Sequence, residues 1–206
     1  MRYEQRTLSR EAEQRAATVA AQLERMRPST FEHSRRVAAL SVQVARHAKL
    51  PAQAVAEVYW GALVHDVGEL NVRRSLLDKP ASLDEAERAQ ICEHTEVGAR
   101  WLASVPGLAP LVPFARWHHE RFDGTGYPDR CSAQQVPLTV ALVAVCDAWD
   151  ALTEARPYRE ALSYREAVAE MRTHAGRQWS RALVEWTLEC VDAPLVPELD
   201  DNREVI

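Results

Sequence analysis

Apolar residues recur at steps of three and four along most of this 206-residue chain, and no segment alternates with the two-residue period of a half-buried strand. The pattern predicts helices almost throughout. A first helix spans about 9–26, opening at Ser9 with Glu11 in its first turn and stopping before Pro28. A second runs over about 30–48 and sets His33, Val37, Leu40 and Val44 on one face. A third begins at Pro51 and ends near Asp66. The next opens at Ser82-Leu83-Asp84-Glu85, which reads as a capping box, and carries His94. A short helix precedes His118. Residues 136–153 are apolar nearly all round, the pattern of a helix buried on every side, and they hold Asp147 and Asp150. A second capping box, Ser163 to Glu166, opens a helix to about Thr173, and a last helix covers about 181–189. The tail beyond Asp192 holds two Pro and several acids and is expected at the surface.

Composition narrows the class. About half of the residues are hydrophobic, enough for a proper core. A net charge of -5 argues against wrapping long nucleic acid, which calls for a basic surplus. The first residues, Met1 to Arg6, lack the apolar core of a signal peptide, and no run of 18 apolar residues predicts a membrane span. Cys92, Cys131, Cys146 and Cys190 are widely spaced without a Cys-x-x-Cys pair, as expected of reduced thiols in the cytoplasm. Any metal here is therefore expected to take N and O ligands.

The candidate chemistry centres on His118-His119-Glu120-Arg121-Phe122-Asp123-Gly124-Thr125-Gly126-Tyr127-Pro128. Two adjacent imidazoles run into a glycine-bracketed turn, and adjacent side chains diverge unless the chain bends or two metals share them. Upstream stands His65-Asp66-Val67-Gly68. His33 on its apolar face and the His65-Asp66 pair are each weak signals alone. A carboxylate at Asp147, inside an apolar helix, costs several kcal/mol unless it is paired or binds a cation. Five imidazoles (His33, His65, His94, His118 and His119) with Asp66 and Asp147 form a set expected to point inward; His47 and His174 lack such context. Imidazole and carboxylate without thiolate suit Fe, Mn, Zn or Ni and do not choose among them. Two such metals with Asp66 between them would place a hydroxide where it can attack a phosphoester.

These blocks resemble the HD-GYP domains of the HD phosphohydrolase superfamily. Further blocks extend the similarity over most of the chain: His33-Ser34-Arg35-Arg36-Val37, Leu77-Asp78-Lys79-Pro80, His94-Thr95-Glu96-Val97-Gly98, Cys146-Asp147-Ala148-Trp149-Asp150-Ala151-Leu152 and Arg156-Pro157-Tyr158-Arg159. The resemblance implies an all-α fold, an HD-domain helical bundle extended by additional helices. It implies a cytoplasmic, metal-dependent phosphodiesterase that cleaves cyclic di-GMP to linear pGpG or GMP. The implied metal ligands are His33, His65, Asp66, His94, His118, His119 and Asp147, with Asp66 bridging. Arg156 and Arg159 match positions that hold substrate phosphate, a task suited to the planar guanidinium. Gly126, Tyr127 and Pro128 would border the substrate cleft and contact GGDEF-type diguanylate cyclase domains. On this reading residues 29–191 form the phosphohydrolase domain, 1–28 a helix that packs on it or pairs two chains as a homodimer, and 192–206 an acidic tail.

Two positions depart from the family pattern. Glu69 stands where a Lys thought to contact substrate phosphate or the attacking water is usual. A like charge about 4 Å from a phosphate costs roughly 4 kcal/mol at an effective dielectric near 20. Glu69 is thus a candidate catalytic residue with three readings: an extra metal ligand, a partner that occupies Arg156 or Arg159, or a group facing solvent. Ser29 stands where three-metal members carry Glu, so the expectation is two metal ions. Two rival functions stay open: a catalytically impaired domain that binds cyclic di-GMP or a signalling partner, and a hydrolase of another cyclic dinucleotide or nucleotide.

Overall fold

The computed structural model describes residues 8–155 and 160–192, and among these every regular element is helical. The expected tail, and the expected phosphate contacts Arg156 and Arg159, lie outside the described residues. Ten α-helices follow one another: α1 (Arg10–Met26), α2 (Pro28–His47), α3 (Ala52–Val64), α4 (Arg74–Leu77), α5 (Glu85–Cys92), α6 (His94–Ser104), α7 (Val112–Trp117), α8 (Leu138–Thr153), α9 (Tyr164–His174) and α10 (Arg181–Asp192). A 3₁₀ turn, Val67–Asn71, joins α3 to α4.

Capping chemistry sets several boundaries. Ser9 accepts the Ala12 N–H at the start of α1, and Ser163 with Glu166 forms the expected box before α9. The box expected at Ser82 is displaced. Asp84 caps α5 and pairs with Glu87, because the reciprocal partner must lie three residues on, and Ser82 has Glu85 there only if the helix starts two residues early. The helix expected to carry His94 is also split. Glu93 separates α5 from α6, and His94 is the first residue of α6.

α2 is the central element, packed by α1, α3, α8 and α10. It buries Val37, Ala38, Val44 and Ala45 at helical spacing, and α3 answers with Val58, Ala62 and Val64. α1 closes one side with Ala12, Ala16, Val19, Ala20 and Leu23. Fully burying a Leu such as Leu23 stabilises the fold by about 1.5–3 kcal/mol. α8 is buried on nearly all faces, from Val140 to Trp149, which matches its apolar circumference. Among the described residues no helix is long and apolar enough to cross a membrane.

Gly68 decides how closely the 3₁₀ turn meets α6. A Cβ at this position would collide with the His94 carbonyl oxygen and come within 2.7 Å of the Gly98 backbone N, and backbone cannot yield as a side-chain tip can. Gly68→Ala is therefore expected to destabilise the protein by about 1–3 kcal/mol, as overpacking does in a well-packed interior. A chemical denaturation midpoint equal to that of the parent would contradict this.

Candidate metal centre

Five segments meet at one carboxylate. Asp66 lies just past α3, His94 opens α6, His118 and His119 follow α7, and α2 and α8 contribute His33 and Asp147 from their interiors. Asp66 Oδ2 lies 3.1 Å from His65 Nε2 and 3.8 Å from His33 Nε2. Its other oxygen, Oδ1, lies 3.4 Å from His118 Nε2 and 3.5 Å from His94 Nε2. The two oxygens thus face two groups that can each hold a cation, His33–His65–Asp66 and His94–His118–His119. Asp147 Oδ1 joins the first group, 3.0 Å from His33 Nε2. All seven expected ligands come together here.

The adjacent imidazoles converge because α7 stops at Trp117. The chain turns through His118, whose ring centroid lies 4.1 Å from that of His119. A continuing helix would swing successive side chains about 100° apart.

Helix ends also choose which ring nitrogen faces inward. His65 Nδ1 lies 2.7 Å from Ala62 O, His94 Nδ1 2.7 Å from Ile91 O, and His118 Nδ1 2.8 Å from Phe114 O. Each carbonyl belongs to the last turn of α3, α5 or α7, where carbonyls lack the usual helical partner. A carbonyl accepts only from N–H, so each neutral ring must keep its proton on Nδ1 and turn the Nε2 lone pair inward. His94 Nε2 and His118 Nε2 then face each other at 3.1 Å. His65 Nε2 is buried with no hydrogen-bond partner among the described residues. Converging lone pairs with no proton to share fit a divalent cation bound by imidazole and carboxylate, and the residues present suit such an ion.

In the metal-free chain protons take part of the cation's role: burial would lower the His65 imidazole, but Asp66 outweighs this and raises it. Burial would push the Asp66 carboxyl up, but His65 and His118 hold it well below the usual carboxylate range. Burial lowers the His94 imidazole to about 4, and burial beside His118 and His94 lowers that of His119. Both are therefore neutral and free to ligate at pH 7. His33 differs. Burial would lower its imidazole, but hydrogen bonds to Asp147 and Asp150 outweigh this and raise it to about 10. A cation would take the place of the proton held between these carboxylates.

Asp147 and Asp150 divide the two readings weighed for a buried carboxylate. Asp147 meets His33 Nε2 within the site, while Asp150 takes the Arg partner, with Arg36 Nε 2.6 Å from Oδ1 and Nη2 2.9 Å from Oδ2. Neither Asp150 nor Arg36 was among the site residues read from the sequence. A signal for them existed: His33 and Arg36 are three apart on α2, Asp147 and Asp150 three apart on α8, and such pairs share a helix face.

The site opens into a cavity of ≈ 920 Å³. His33, Asp66, His94, His119 and Asp147 form part of its wall, and Arg27, Arg36, Arg74, Lys79 and Arg88 are also on its lining. Of the three residues expected from the Gly-Tyr-Pro loop, Tyr127 lines this cavity, with its ring 4.9 Å from that of His119. Gly126 and Pro128 flank Tyr127 in the chain. Gly126 is buried where a Cβ would come 2.5 Å from Glu120 Cα and Arg121 N, so it serves the close backbone approach behind Tyr127.

Glu69 also lines the cavity, half-buried, and Thr30 Oγ1 donates to its Oε2 at 2.8 Å. Ser29 lines the same wall with a hydroxyl.

The family model for the HD domain matches residues 17–183, and the chain belongs to that family. A cyclic di-GMP phosphodiesterase of Pseudomonas aeruginosa is 38% identical over 159 residues, covering 75% of this chain and 38% of that protein. The 3'3'-cGAMP-specific phosphodiesterase 1 of Vibrio cholerae is 36% identical over 143 residues, covering 69% of this chain and 33% of that protein. This chain thus spans between about a third and two fifths of the length of these two curated relatives. Among solved structures, an HDG"Y"P protein from Bdellovibrio bacteriovorus superposes with a TM-score of 0.66 at 20% identity, over 79% of this chain and 52% of that one. That likeness establishes the fold.

Burial, and then the charge of Asp66, raise the Glu69 carboxyl to about 7 from an ordinary value of 4.5. The folded chain then binds this proton more tightly than the unfolded chain. The group costs nothing at low pH and costs stability as pH rises through that window. In chelator-treated protein, Glu69→Gln is expected to match the parent near pH 4 and to exceed its stability at pH 8. The gain is on the order of 2 kcal/mol, discounted from the full shift for partial exposure. Urea denaturation at both pH values measures this, and parallel pH profiles for the two proteins would refute it.

Proposed function

We propose that this chain is a metal-dependent phosphodiesterase of cyclic dinucleotides, with cyclic di-GMP as substrate and linear pGpG or GMP as product. The observation that carries the reading is Asp66, whose two oxygens each face a separate group of imidazole lone pairs. Two divalent cations of the Fe, Mn, Zn or Ni class would supply Lewis acidity and lower the pKa of water towards 7. His33, His65 and Asp147 would hold one ion, His94, His118 and His119 the other, and Asp66 both. The named activities of the relatives, on cyclic di-GMP and on 3'3'-cGAMP, support the substrate class.

The chain's own part is to orient an anion and keep it dry. Arg36, Arg74 and Lys79 line the cavity while paired with Asp150, Asp78 and Glu87, Arg88 stands on the same lining, and Arg156 with Arg159 would add phosphate contacts. Tyr127, packed on His119, would present an aromatic face to the substrate. Contact with a GGDEF domain through the Gly-Tyr-Pro loop, and pairing of two chains, are the partner readings that accompany this function.

One observation favours a second reading, a domain that binds the dinucleotide without turnover. Glu69 brings a carboxylate to the cavity wall close to Asp66, where a phosphodiester would have to approach. The deciding measurement is cyclic di-GMP hydrolysis by protein purified anaerobically and loaded with Fe(II) or Mn(II), with products separated by chromatography and metal counted per chain. Turnover with two ions, lost to background in Asp66→Ala, is the expected result. Two ions without turnover, together with activity gained in Glu69→Lys, would establish the binding reading instead.

A further inference from the structure

His65, His94 and His118 each obtain their orientation from a backbone carbonyl at a helix end. His33 has no such source. It lies inside α2, which runs unbroken from Pro28 to His47, where carbonyls are already engaged in helical hydrogen bonds. Its Nδ1 instead meets Asp150 Oδ2 at 2.6 Å, while Nε2 faces Asp147 and Asp66. Asp150 comes from the other wall of the bundle, one turn beyond Asp147 on α8.

The Asp150 carboxylate is itself fixed. Arg36 grips both of its oxygens in a two-pronged pair, at 2.6 and 2.9 Å. The side chain of Asp150 is 8% exposed and that of Arg36 40%, and both line the cavity. A carboxylate this buried is tolerated because three N–H donors from two cationic or polarised partners meet it.

We propose that Asp150 is a positioning residue for the His33 side of the centre, and that Arg36 clamps it. Asp150 holds the His33 proton on Nδ1 and points Nε2 at the ion; Arg36 prevents the carboxylate from rotating away. Asp150 does through a side chain what helix-end carbonyls do for the other imidazoles. Outer partners of this kind typically change metal affinity by 10–100-fold. The inference rests on the metal-centre reading above, and its test reads metal binding and not turnover, so a failure of the phosphodiesterase reading leaves the test intact.

The experiment is Mn(II) and Co(II) titration of the chelator-treated full chain, with Co(II) absorption reporting ligand geometry and the thermal midpoint of the metal-free protein as control. In Asp150→Asn, one of two ions is expected to bind about 10–100-fold more weakly with an altered Co(II) spectrum, while the other ion and the midpoint stay at parent values. Asp150→Glu should recover part of the loss. Parent affinity for both ions in Asp150→Asn would overturn the proposal, and so would equal weakening of both together with a lower midpoint, which marks a structural role. Should Asp150→Asn fail to fold, Arg36→Met decides, because its side chain is partly exposed. Selective weakening of one ion supports the clamp, and unchanged binding of both overturns it.

Discussion

A single buried carboxylate, Asp66, organises this molecule. Carboxylates are removed from water at a cost of several kcal/mol unless cations or strong donors compensate. Here four imidazole Nε2 atoms are divided between its two oxygens, and the cations they would bind with it supply the compensation. Satisfying it requires α2, α3, α6 and the end of α7 to meet at one point. Gly68 permits that meeting by letting the 3₁₀ turn lie against the backbone of α6. The geometry that makes the bundle compact is the geometry that assembles the site.

The same economy governs the orientation of the ligands. Helix ends leave carbonyls without helical partners, and three of those carbonyls are given to imidazole Nδ1 atoms. A requirement of secondary structure is met by the group that needs orienting. His33 lacks such a carbonyl because α2 passes straight through the centre. There a salt-bridged carboxylate on α8 replaces the carbonyl. Rigid elements hold the ligands, while Tyr127 approaches from a loop tied down by Glu120, which accepts the Asp129 and Cys131 N–H groups.

The chain belongs to the HD-domain family, and Glu69 places an acidic side chain on the cavity wall near the centre. Its carboxyl is held by Thr30 from α2 and lies near enough to Asp66 for the two charges to interact. That setting raises its proton affinity into the physiological range. In the metal-free chain its charge therefore depends on pH, and bound cations beside Asp66 would favour the carboxylate.

By itself the sequence determined the helical class, most helix boundaries and the identities of the seven inward-pointing His and Asp residues. Those features are local: apolar period, capping residues and short motifs are read within a few turns of chain. It misplaced the cap at Asp84 and the break before His94, where two overlapping cap patterns compete and packing selects one. The tertiary structure decided the division of Asp66 between two groups of imidazoles, the pairing of Asp150 with His33 and Arg36 across 117 and 114 positions, and the inward burial of Gly126. Those outcomes depend on distances between helices far apart in the chain, and a period within one helix carries no record of which face of another it will meet.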